Sequence, residues 1–254
     1  MIARALARFL ALTLLAASTA SFAAAELRVA VAANFLGTLQ VLAEDYRAQS
    51  GVRLLISAGS SGALYAQIVN GAPFDVFLSA DSARPAALVE AGLAAPGSRF
   101  TYAIGVPVLW SARPGLVDDA GAVLRGAGFR HLALADPRNA PYGAAAQQVL
   151  EHLGLWQRLG DERRLVRAQS IGQAYSQVAS GAAPLGFVAL AQVLAEDGSI
   201  AGSHWIPPSD WHAPIVQQAV ALRSGDQARS AAFLAWLRSP PAAAAIAAAG
   251  YRQD

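Results

Sequence analysis

Four short, uncharged turns carry the groups of this chain that could do chemistry, and each leads into a helical pattern. They contain hydroxyl or amide side chains or free backbone N–H groups, and they cover residues 32–35, 59–62, 140–143 and 169–172. The first turn of a helix presents unpaired N–H groups and the positive end of the helix dipole. Several such helix starts that converge on one point would bind a small anion without lysine or arginine.

The polar residues of these turns also have a simpler interpretation. Serine and asparagine before a helical run commonly cap the helix, and capping alone would account for Asn34, Ser60 and Ser61. Capping and ligand binding can coexist in one residue. Asp81 follows a strand where another helix begins, and we interpret it as a cap because a carboxylate beside a bound anion would repel it.

The sequence lacks the spacing of the common catalytic and metal sites. Residues 59–62 do not have the Gly-x-Ser-x-Gly pattern of a hydrolase elbow, and the four histidines have no metal-ligand spacing. His212 is interpreted as structural, near a crossing between domains. Asp75 and Asp81 would lie about 20 Å apart at opposite ends of a strand, at ~3.3 Å per residue. We therefore expect a binding protein without a cofactor, not an enzyme.

The N-terminus has the three-part layout of a secretory signal peptide. Two arginines precede an apolar stretch over residues 9–17, and a run of mostly small residues ends at position 25. The apolar stretch is well short of the roughly 20 residues that a bilayer requires, which disfavours a membrane anchor. We expect residues 1–25 to be removed and the mature chain to begin near Glu26.

The composition indicates the compartment and excludes one class of partner. The chain has no cysteine, hence no disulfide, no thiol nucleophile and no lipid-attachment cysteine, and we expect it to be free in the periplasm. All 19 basic residues are arginine. Without Arg4 and Arg8 of the signal peptide, the basic residues balance the 17 acidic ones, so net charge gives no support to nucleic-acid binding.

Strand-like and helical segments alternate along the chain. Strands are predicted over residues 27–31, 52–57, 74–79, 101–109, 132–135, 164–168, 185–189 and, as an apolar run, 213–222. Helices are predicted over residues 35–49, 63–70, 82–91, 144–153, 173–180 and 227–237. Glycine follows several of these helices at the position where a C-cap requires it. This alternation is typical of a parallel sheet that is covered by helices on both faces.

The length and the two groups of strands predict an α/β protein with two lobes. Each lobe is expected to be a mainly parallel sheet flanked by helices, with the ligand cleft between the lobes. The first lobe is predicted to comprise residues 26–104 together with 217–254. The second lobe is predicted to comprise residues 105–216.

Five motifs occur in order and at suitable spacing, and together they carry a resemblance to a known family. They cover residues 31–35, residues 57–64 with Gln67 and Ile68, residues 71–81, residues 135–143 and residues 183–186, followed by Gly250 and Tyr251. The chain resembles the periplasmic molybdate-binding proteins, which are receptors of molybdate ABC transporters. The similarity extends over essentially the whole mature chain.

The resemblance implies two α/β lobes that close on one anion, and it implies particular contacts. In the first lobe, Asn34 would bind the anion through its side-chain amide or its backbone N–H. Ser61 would bind it through its hydroxyl and its backbone N–H. Tyr142 and Ile171 of the second lobe would bind through backbone N–H groups. Some family members have a tyrosine that contacts the anion where this chain has Ala189, so that contact is missing here.

The implied ligand is molybdate, or tungstate, which has nearly the same size. Molybdenum would be present only inside the oxyanion, without a direct protein ligand. A pocket of donors suits a fully ionised dianion, whereas monohydrogen phosphate brings an O–H that costs on the order of 1–3 kcal/mol if it stays unsatisfied. Sulfate has no such proton, so only its size separates it from molybdate.

The resemblance also implies a monomeric receptor that delivers its ligand to an inner-membrane ABC permease. Two alternatives stay open at this point. One is a receptor of the same fold for sulfate, another oxyanion or a small organic anion. The other is a sensory or accessory protein that binds its ligand without taking part in transport.

Overall fold

The computed structural model of the chain describes residues 25–253. The predicted signal peptide lies outside the described residues, apart from Ala25. Within them, the strands are β1 (Glu26–Ala32), β2 (Arg53–Gly59), β3 (Val76–Ser79), β4 (Phe100–Gly105), β5 (Pro107–Ser111), β6 (Leu132–Ala135), β7 (Leu165–Ala168), β8 (Leu185–Ala189), β9 (Ser203–Trp205) and β10 (Ile215–Ala221).

The helices follow the strands closely in the sequence. They are α1 (Leu36–Ser50), α2 (Ser61–Val69), α3 (Ala83–Glu90), α4 (Pro141–His152), α5 (Trp156–Asp161), α6 (Ile171–Ala179), α7 (Leu190–Val193), α8 (Gln227–Leu237) and α9 (Pro240–Ala248). Short 3-10 turns occur at Ala33–Phe35, Ala122–Arg125 and Ser209–Trp211.

The strands form two five-stranded sheets, with the orders β2-β1-β3-β10-β4 and β7-β6-β8-β5-β9. In the first sheet β1 is parallel to β2 and β3, and β10 is antiparallel to β3 and β4. In the second sheet β6 is parallel to β7 and β8, and β5 is antiparallel to β8 and β9. We call the first sheet with α1–α3, α8 and α9 the first lobe, and the second sheet with α4–α7 the second lobe. The predicted two-lobed α/β fold is confirmed, but the sheets are mixed and not mainly parallel, since each has two parallel and two antiparallel strand pairings.

The chain passes from the first sheet to the second at Val106. A single strand over residues 101–109 was expected from the continuous apolar run, and this prediction is wrong. β4 ends at Gly105 and pairs with β10, whereas β5 begins at Pro107 and pairs with β8 and β9. Both halves are largely buried, so hydrophobicity alone gives no sign of the break between them.

Each lobe has two apolar clusters of its own, and a further cluster joins the two lobes. The larger cluster of the first lobe includes Phe35, whose ring packs edge-on against Tyr102 and Tyr251 at centroid distances of 4.8 and 5.3 Å. The joining cluster consists largely of alanines, among them Ala32 and Ala80 of the first lobe and Ala135, Ala140 and Ala189 of the second. Such small side chains let the two lobes approach each other closely.

No single helix among the described residues is long and apolar enough to cross a membrane. Helices α8 and α9 reach that length and composition only as a pair, and they are bent by 63° with respect to each other.

Candidate functional site

The four turns singled out in the sequence meet in one small pocket between the lobes. The pocket is lined by Asn34, Ser61, Tyr142 and Ile171, all four of the predicted contact residues. The rest of its wall consists of Ser60 and of small or apolar residues, namely Ala32, Ala33, Gly59, Ala80, Ala140 and Pro141. Among residues 25–253, no charged side chain lines it.

Ser60 and Ser61 begin helix α2 and have different roles there. Ser60 is the N-cap, and its side chain accepts a hydrogen bond from the Ala63 N–H at 3.4 Å. The buried Ser61 hydroxyl instead accepts from the Ala80 N–H at 2.9 Å. Because a hydroxyl has one hydrogen to donate, this bond leaves the Ser61 hydrogen available to an acceptor in the pocket.

Asn34 lies in the 3-10 turn between β1 and α1, and its side chain is buried. Its amide pairs with the amide of Gln217 at 2.8 Å and with the hydroxyl of Tyr251 at 3.2 Å. The Tyr251 hydroxyl in turn donates to the Asn34 carbonyl at 2.8 Å. These bonds fix the turn from the side of the first lobe, so that the Asn34 residue is held in place at the pocket wall.

Tyr142 follows Pro141 in the first turn of α4, and its ring points into the protein interior. Burial, together with the neighbouring tyrosines 251 and 102, raises the pKa of Tyr142 well above its ordinary value, and the nearby Gln217 amide opposes that rise only in part. The phenol is therefore neutral at physiological pH. Because N–H groups of a first helical turn have no acceptor within the helix, the backbone of Tyr142 can donate to a ligand.

Ile171 is the first residue of α6, after the N-cap Ser170, whose side chain accepts from the Gln173 N–H at 3.2 Å. The Ile171 side chain is buried in the alanine-rich cluster and has no polar group. Its N–H group belongs to the first turn and lacks an intrahelical acceptor. The geometry thus agrees with a contact through the backbone only.

The electrostatics of the pocket favour an anion, although no basic side chain lines it. The starts of α2, α4 and α6 and the turn at Asn34 all contribute to the pocket wall. Each helix start has unpaired N–H groups and a partial positive charge of roughly half an elementary charge. A pocket of this kind can hold a small, fully ionised anion by hydrogen bonds alone.

The lobes also touch each other directly beside the pocket. The Gly62 N–H in the first turn of α2 donates to the Asn139 carbonyl of the second lobe at 2.9 Å. A methyl group on Gly172, in the first turn of α6, would lie 3.3 Å from the Ala33 Cβ of the first lobe. The described structure is therefore a closed arrangement, in which each lobe packs against a glycine of the other.

Ala189 ends β8 and is buried in the alanine-rich cluster, but it is not one of the pocket-lining residues. Its N–H donates to the Gln192 side chain at 3.0 Å. A methyl side chain offers no hydrogen bond at the place where the resemblance implies a tyrosine hydroxyl in other members.

The carboxylates considered for catalysis are engaged elsewhere. Asp75 is buried and directly precedes β3, at the end of the strand away from the pocket. Its carboxylate accepts hydrogen bonds from the side chain and backbone N–H of Arg28 and from the Asp226 N–H. Burial raises its pKa, but these hydrogen bonds and the Arg28 charge outweigh burial and hold the pKa below its ordinary value. Asp81 accepts from the Arg84 N–H at 2.9 Å at the start of α3, as a capping residue does. Among residues 25–253 no group of three or more His, Cys, Asp or Glu could hold a metal ion.

The polar residues behind the pocket were not predicted from the sequence. Gln217 is fully buried in β10, and the Tyr102 hydroxyl lies 3.2 Å from both its side-chain oxygen and the Ser79 carbonyl. Two adjacent glutamines, Gln217 and Gln218, interrupt the apolar run of this strand, and this is the one signal in the sequence that could have identified the network.

Two α/β lobes with a donor-lined pocket between them define a receptor that closes on a small solute. The chain belongs to the family of bacterial extracellular solute-binding proteins, whose model matches residues 27–252. It is 48% identical over 229 residues to the molybdate-binding protein ModA of Azotobacter vinelandii, and the aligned region covers 90% of each chain. It is 47% identical over 230 residues to that of Rhodobacter capsulatus, covering 90% of this chain and 89% of the relative.

The comparison of structures agrees with these relationships. The structure of the Azotobacter vinelandii periplasmic molybdate-binding protein matches with a TM-score of 0.89 and 55% identity, over 90% of this chain and 99% of that chain. The predicted resemblance is thus confirmed. The sulfate-binding protein SubI of Mycobacterium tuberculosis matches at 18% identity and a TM-score of 0.68, over 90% of this chain and 86% of that chain, and shares the fold.

Proposed function

We propose that this chain is a receptor that binds molybdate between its two lobes and delivers it to an ABC permease. The observation that carries the proposal is a pocket whose wall holds helix starts and a free hydroxyl hydrogen but no charged side chain. The close relatives that cover most of the chain are molybdate-binding proteins. Tungstate, with nearly the same size and charge, is expected to bind as well.

Asn34, Ser61, Tyr142 and Ile171 are the proposed ligand contacts. Their support is that all four line the same closed pocket. We assign the Ser61 hydroxyl and backbone N–H, the backbone N–H groups of Tyr142 and Ile171, and a donor of Asn34 to the anion. In this proposal the protein binds without catalysing a reaction and holds molybdenum only as the oxyanion.

We further propose the two lobes as residues 26–104 with 217–254 and residues 105–216. The chain leaves the first sheet at Val106 and returns to it at Ile215, which supports boundaries within about two residues of these. The solved relative is a periplasmic protein. We infer the same compartment for this chain, reached by cleavage of the signal peptide over residues 1–25, and a monomeric receptor without a lipid anchor.

A thermal-shift series on ligand-stripped mature protein tests the proposed ligand. Molybdate, tungstate, sulfate, phosphate and a buffer blank are compared at equal concentration and ionic strength. Ligand at about a thousand times its Kd adds roughly 4 kcal/mol to the free energy of unfolding, which moves the midpoint of a chain of this size by about 10 °C. Molybdate and tungstate should give such a shift. A shift with sulfate or an organic anion alone would favour the receptor of the same fold for another ligand.

A further inference from the structure

Three buried polar atoms behind the pocket have no hydrogen-bond partner among residues 25–253. They are Asn34 Oδ1, Gln217 Nε2 and Tyr142 Oη. Buried polar atoms in native proteins are nearly always paired, so three orphans in neighbouring side chains need a physical explanation. All three belong to residues at the pocket wall or directly behind it.

The Gln217 side chain lies between the other two residues. One end of its amide is 2.8 Å from the Asn34 amide nitrogen, and its Oε1 is also 3.2 Å from the Tyr102 hydroxyl. The other end of the amide, Nε2, lies on the side of Tyr142, and both groups adjoin Gly105. A methyl group built on Gly105 would collide with the Tyr142 hydroxyl and would lie 2.9 Å from Gln217 Nε2. The three unpaired atoms therefore belong to one chain of contacts, from Tyr142 through Gln217 to Asn34.

The heavy-atom positions of the two amides are compatible with two hydrogen-bond patterns, because an amide oxygen and nitrogen are almost equal in size. In the first, Asn34 donates to Gln217, Gln217 Nε2 faces the Tyr142 hydroxyl oxygen without a well-formed hydrogen bond, and Asn34 Oδ1 and the Tyr142 hydroxyl hydrogen have no partner among residues 25–253. In the second, both amides are turned by 180°. Gln217 then donates to Asn34 and to the Tyr102 hydroxyl, which itself donates to the Ser79 carbonyl.

The second pattern uses the groups that the first leaves idle. The Gln217 oxygen then faces the Tyr142 hydroxyl, which can donate to it. The Tyr251 hydroxyl still donates to the backbone carbonyl of Asn34 at 2.8 Å, but it no longer accepts a hydrogen bond from the Asn34 side-chain amide. The Asn34 nitrogen then occupies the position that Oδ1 held, on a residue that lines the pocket. An anion bound in the pocket would be an acceptor for its hydrogens.

We propose that Gln217 is a positioning and specificity-determining residue: it holds the Asn34 amide with its nitrogen toward the bound oxyanion, so that the site rejects oxyanions that carry a proton. The inference rests on the proposed oxyanion-binding function. With nitrogen toward the ligand, the pocket presents donors only. With oxygen toward the ligand, it would present an acceptor that suits the O–H of monohydrogen phosphate.

The orientation of the amides can be measured on the unaltered protein by NMR. In the proposed pattern the Gln217 side-chain amide hydrogens give nuclear Overhauser contacts to the Tyr102 ring, and the Asn34 amide hydrogens shift when molybdate is added. Contacts between the Asn34 amide hydrogens and the Tyr251 ring in the molybdate-bound protein would overturn the proposal. This measurement requires no substitution and hence does not depend on the folding of a variant.

The selectivity is tested with Gln217→Glu, whose ionised carboxylate can only accept hydrogen bonds and therefore draws the Asn34 nitrogen away from the pocket. Affinities for sulfate and phosphate are compared at about pH 8, since both are then mainly dianions of similar size and differ in the proton. The ratio of sulfate affinity to phosphate affinity should fall by about tenfold or more relative to the unaltered protein. Using the ratio cancels the repulsion that a new negative charge would exert on either dianion.

Gln218→Glu is the matched control, because the same change is made one residue further along β10, where the side chain bonds to Thr101 and Arg99 instead. This control should keep the ratio of the unaltered protein. If folded Gln217→Glu keeps the sulfate-to-phosphate affinity ratio of the unaltered protein, the inference about Gln217 is overturned. The proposed function stays intact in that case, provided that the unaltered protein binds molybdate. Failure of the unaltered protein to bind any oxyanion would instead remove the proposed function, and the Overhauser contacts would still decide the amide orientation.

Discussion

The Gly62 N–H donates a 2.9 Å hydrogen bond to the Asn139 carbonyl, and this bond links the first turn of α2 in one lobe to the loop before α4 in the other. It uses an N–H of the same helix start that presents Ser61 to the pocket. A first-turn N–H has no partner within its own helix, so an acceptor from the opposite lobe can satisfy it only when the lobes are closed. Closure and ligand binding are thereby coupled at one helix terminus.

Substitution of Gly62 should weaken ligand binding by holding the lobes apart. A Cβ at this position would lie 3.0 Å from both the Asn139 Cα and its carbonyl oxygen, which are backbone atoms that cannot turn aside. We expect Gly62→Ala to lower molybdate affinity about tenfold, with little change in the stability of the ligand-free protein. Calorimetric titration measures the affinity, and small-angle X-ray scattering measures the compaction on binding.

Gly160→Ala is the control for Gly62→Ala, since a Cβ at Gly160 in α5 meets nothing within 4 Å. This variant should bind as the unaltered protein does and gain about 0.5–1 kcal/mol in the free energy of unfolding, because alanine loses less backbone entropy in a helix. Equal affinities of the two variants would contradict the role of Gly62 in closure.

The two adjacent serines at the start of α2 should differ in their effect on binding, although Ser61→Ala also costs stability because it leaves the buried Ala80 N–H without its acceptor. Ser61→Ala removes the proposed hydroxyl donor, and a hydrogen bond to a charged group is worth about 1.5–3 kcal/mol, so molybdate affinity should fall roughly 10- to 100-fold. Ser60→Ala removes the helix cap and should instead lower the free energy of unfolding by about 1 kcal/mol with affinity kept. An affinity of Ser61→Ala equal to that of Ser60→Ala would take the Ser61 hydroxyl out of the site.

Asp75 should contribute to stability in a pH-dependent way without affecting ligand binding. Its folded-state pKa lies below the ordinary value of 3.8, so its stabilisation is present above that value and is lost as the pH falls through the lower, folded-state pKa. Asp75→Asn should cost about 2 kcal/mol near neutral pH, since it weakens the bonds from Arg28 and Asp226. The difference in unfolding free energy between variant and unaltered protein should shrink in strong acid; urea denaturation at several pH values measures it. A difference that stays constant down to acid pH would contradict the assigned shift.

Molybdate affinity should be nearly independent of pH between about 6 and 9. In the part of the chain that the structure describes, no Asp, Glu, His or Arg lines the pocket, and burial keeps the Tyr142 phenol neutral by raising its pKa well above 10.0. A pocket of backbone N–H groups, a hydroxyl and an amide does not titrate in this range. Calorimetric titration at constant ionic strength checks the expectation, and a change in Kd of more than about tenfold would indicate that a titrating group takes part in binding.

Local sequence patterns predict most of the elements that position the pocket. The strand-to-helix turns at Asn34, Ser61 and Tyr142 could be located because apolar runs precede them and helical patterns follow. All four predicted contact residues then meet in one pocket. Such turns depend on neighbouring residues, and parallel strands direct their carboxyl ends to the same edge of a sheet, so the convergence follows from the topology.

The sequence does not predict the contacts between distant segments. Asn34 and Gln217 are 183 residues apart, and neither residue has a local feature that identifies its partner. The crossing at Val106 is hidden inside one apolar run, although Gly105 and Pro107 flank it. Helix α9 escaped prediction because its run of alanines has no helical periodicity in hydrophobicity, and only Ala242 and Ile246 are buried.

The proposed site can be observed in a crystal structure of the mature protein with molybdate, with anomalous diffraction recorded above and below the molybdenum absorption edge. One anomalous peak is expected in the pocket between the lobes, with molybdate oxygens about 2.7–3.2 Å from donors of Asn34, Ser61, Tyr142 and Ile171. A strong peak elsewhere, or an empty pocket at saturating molybdate, would contradict the proposed site.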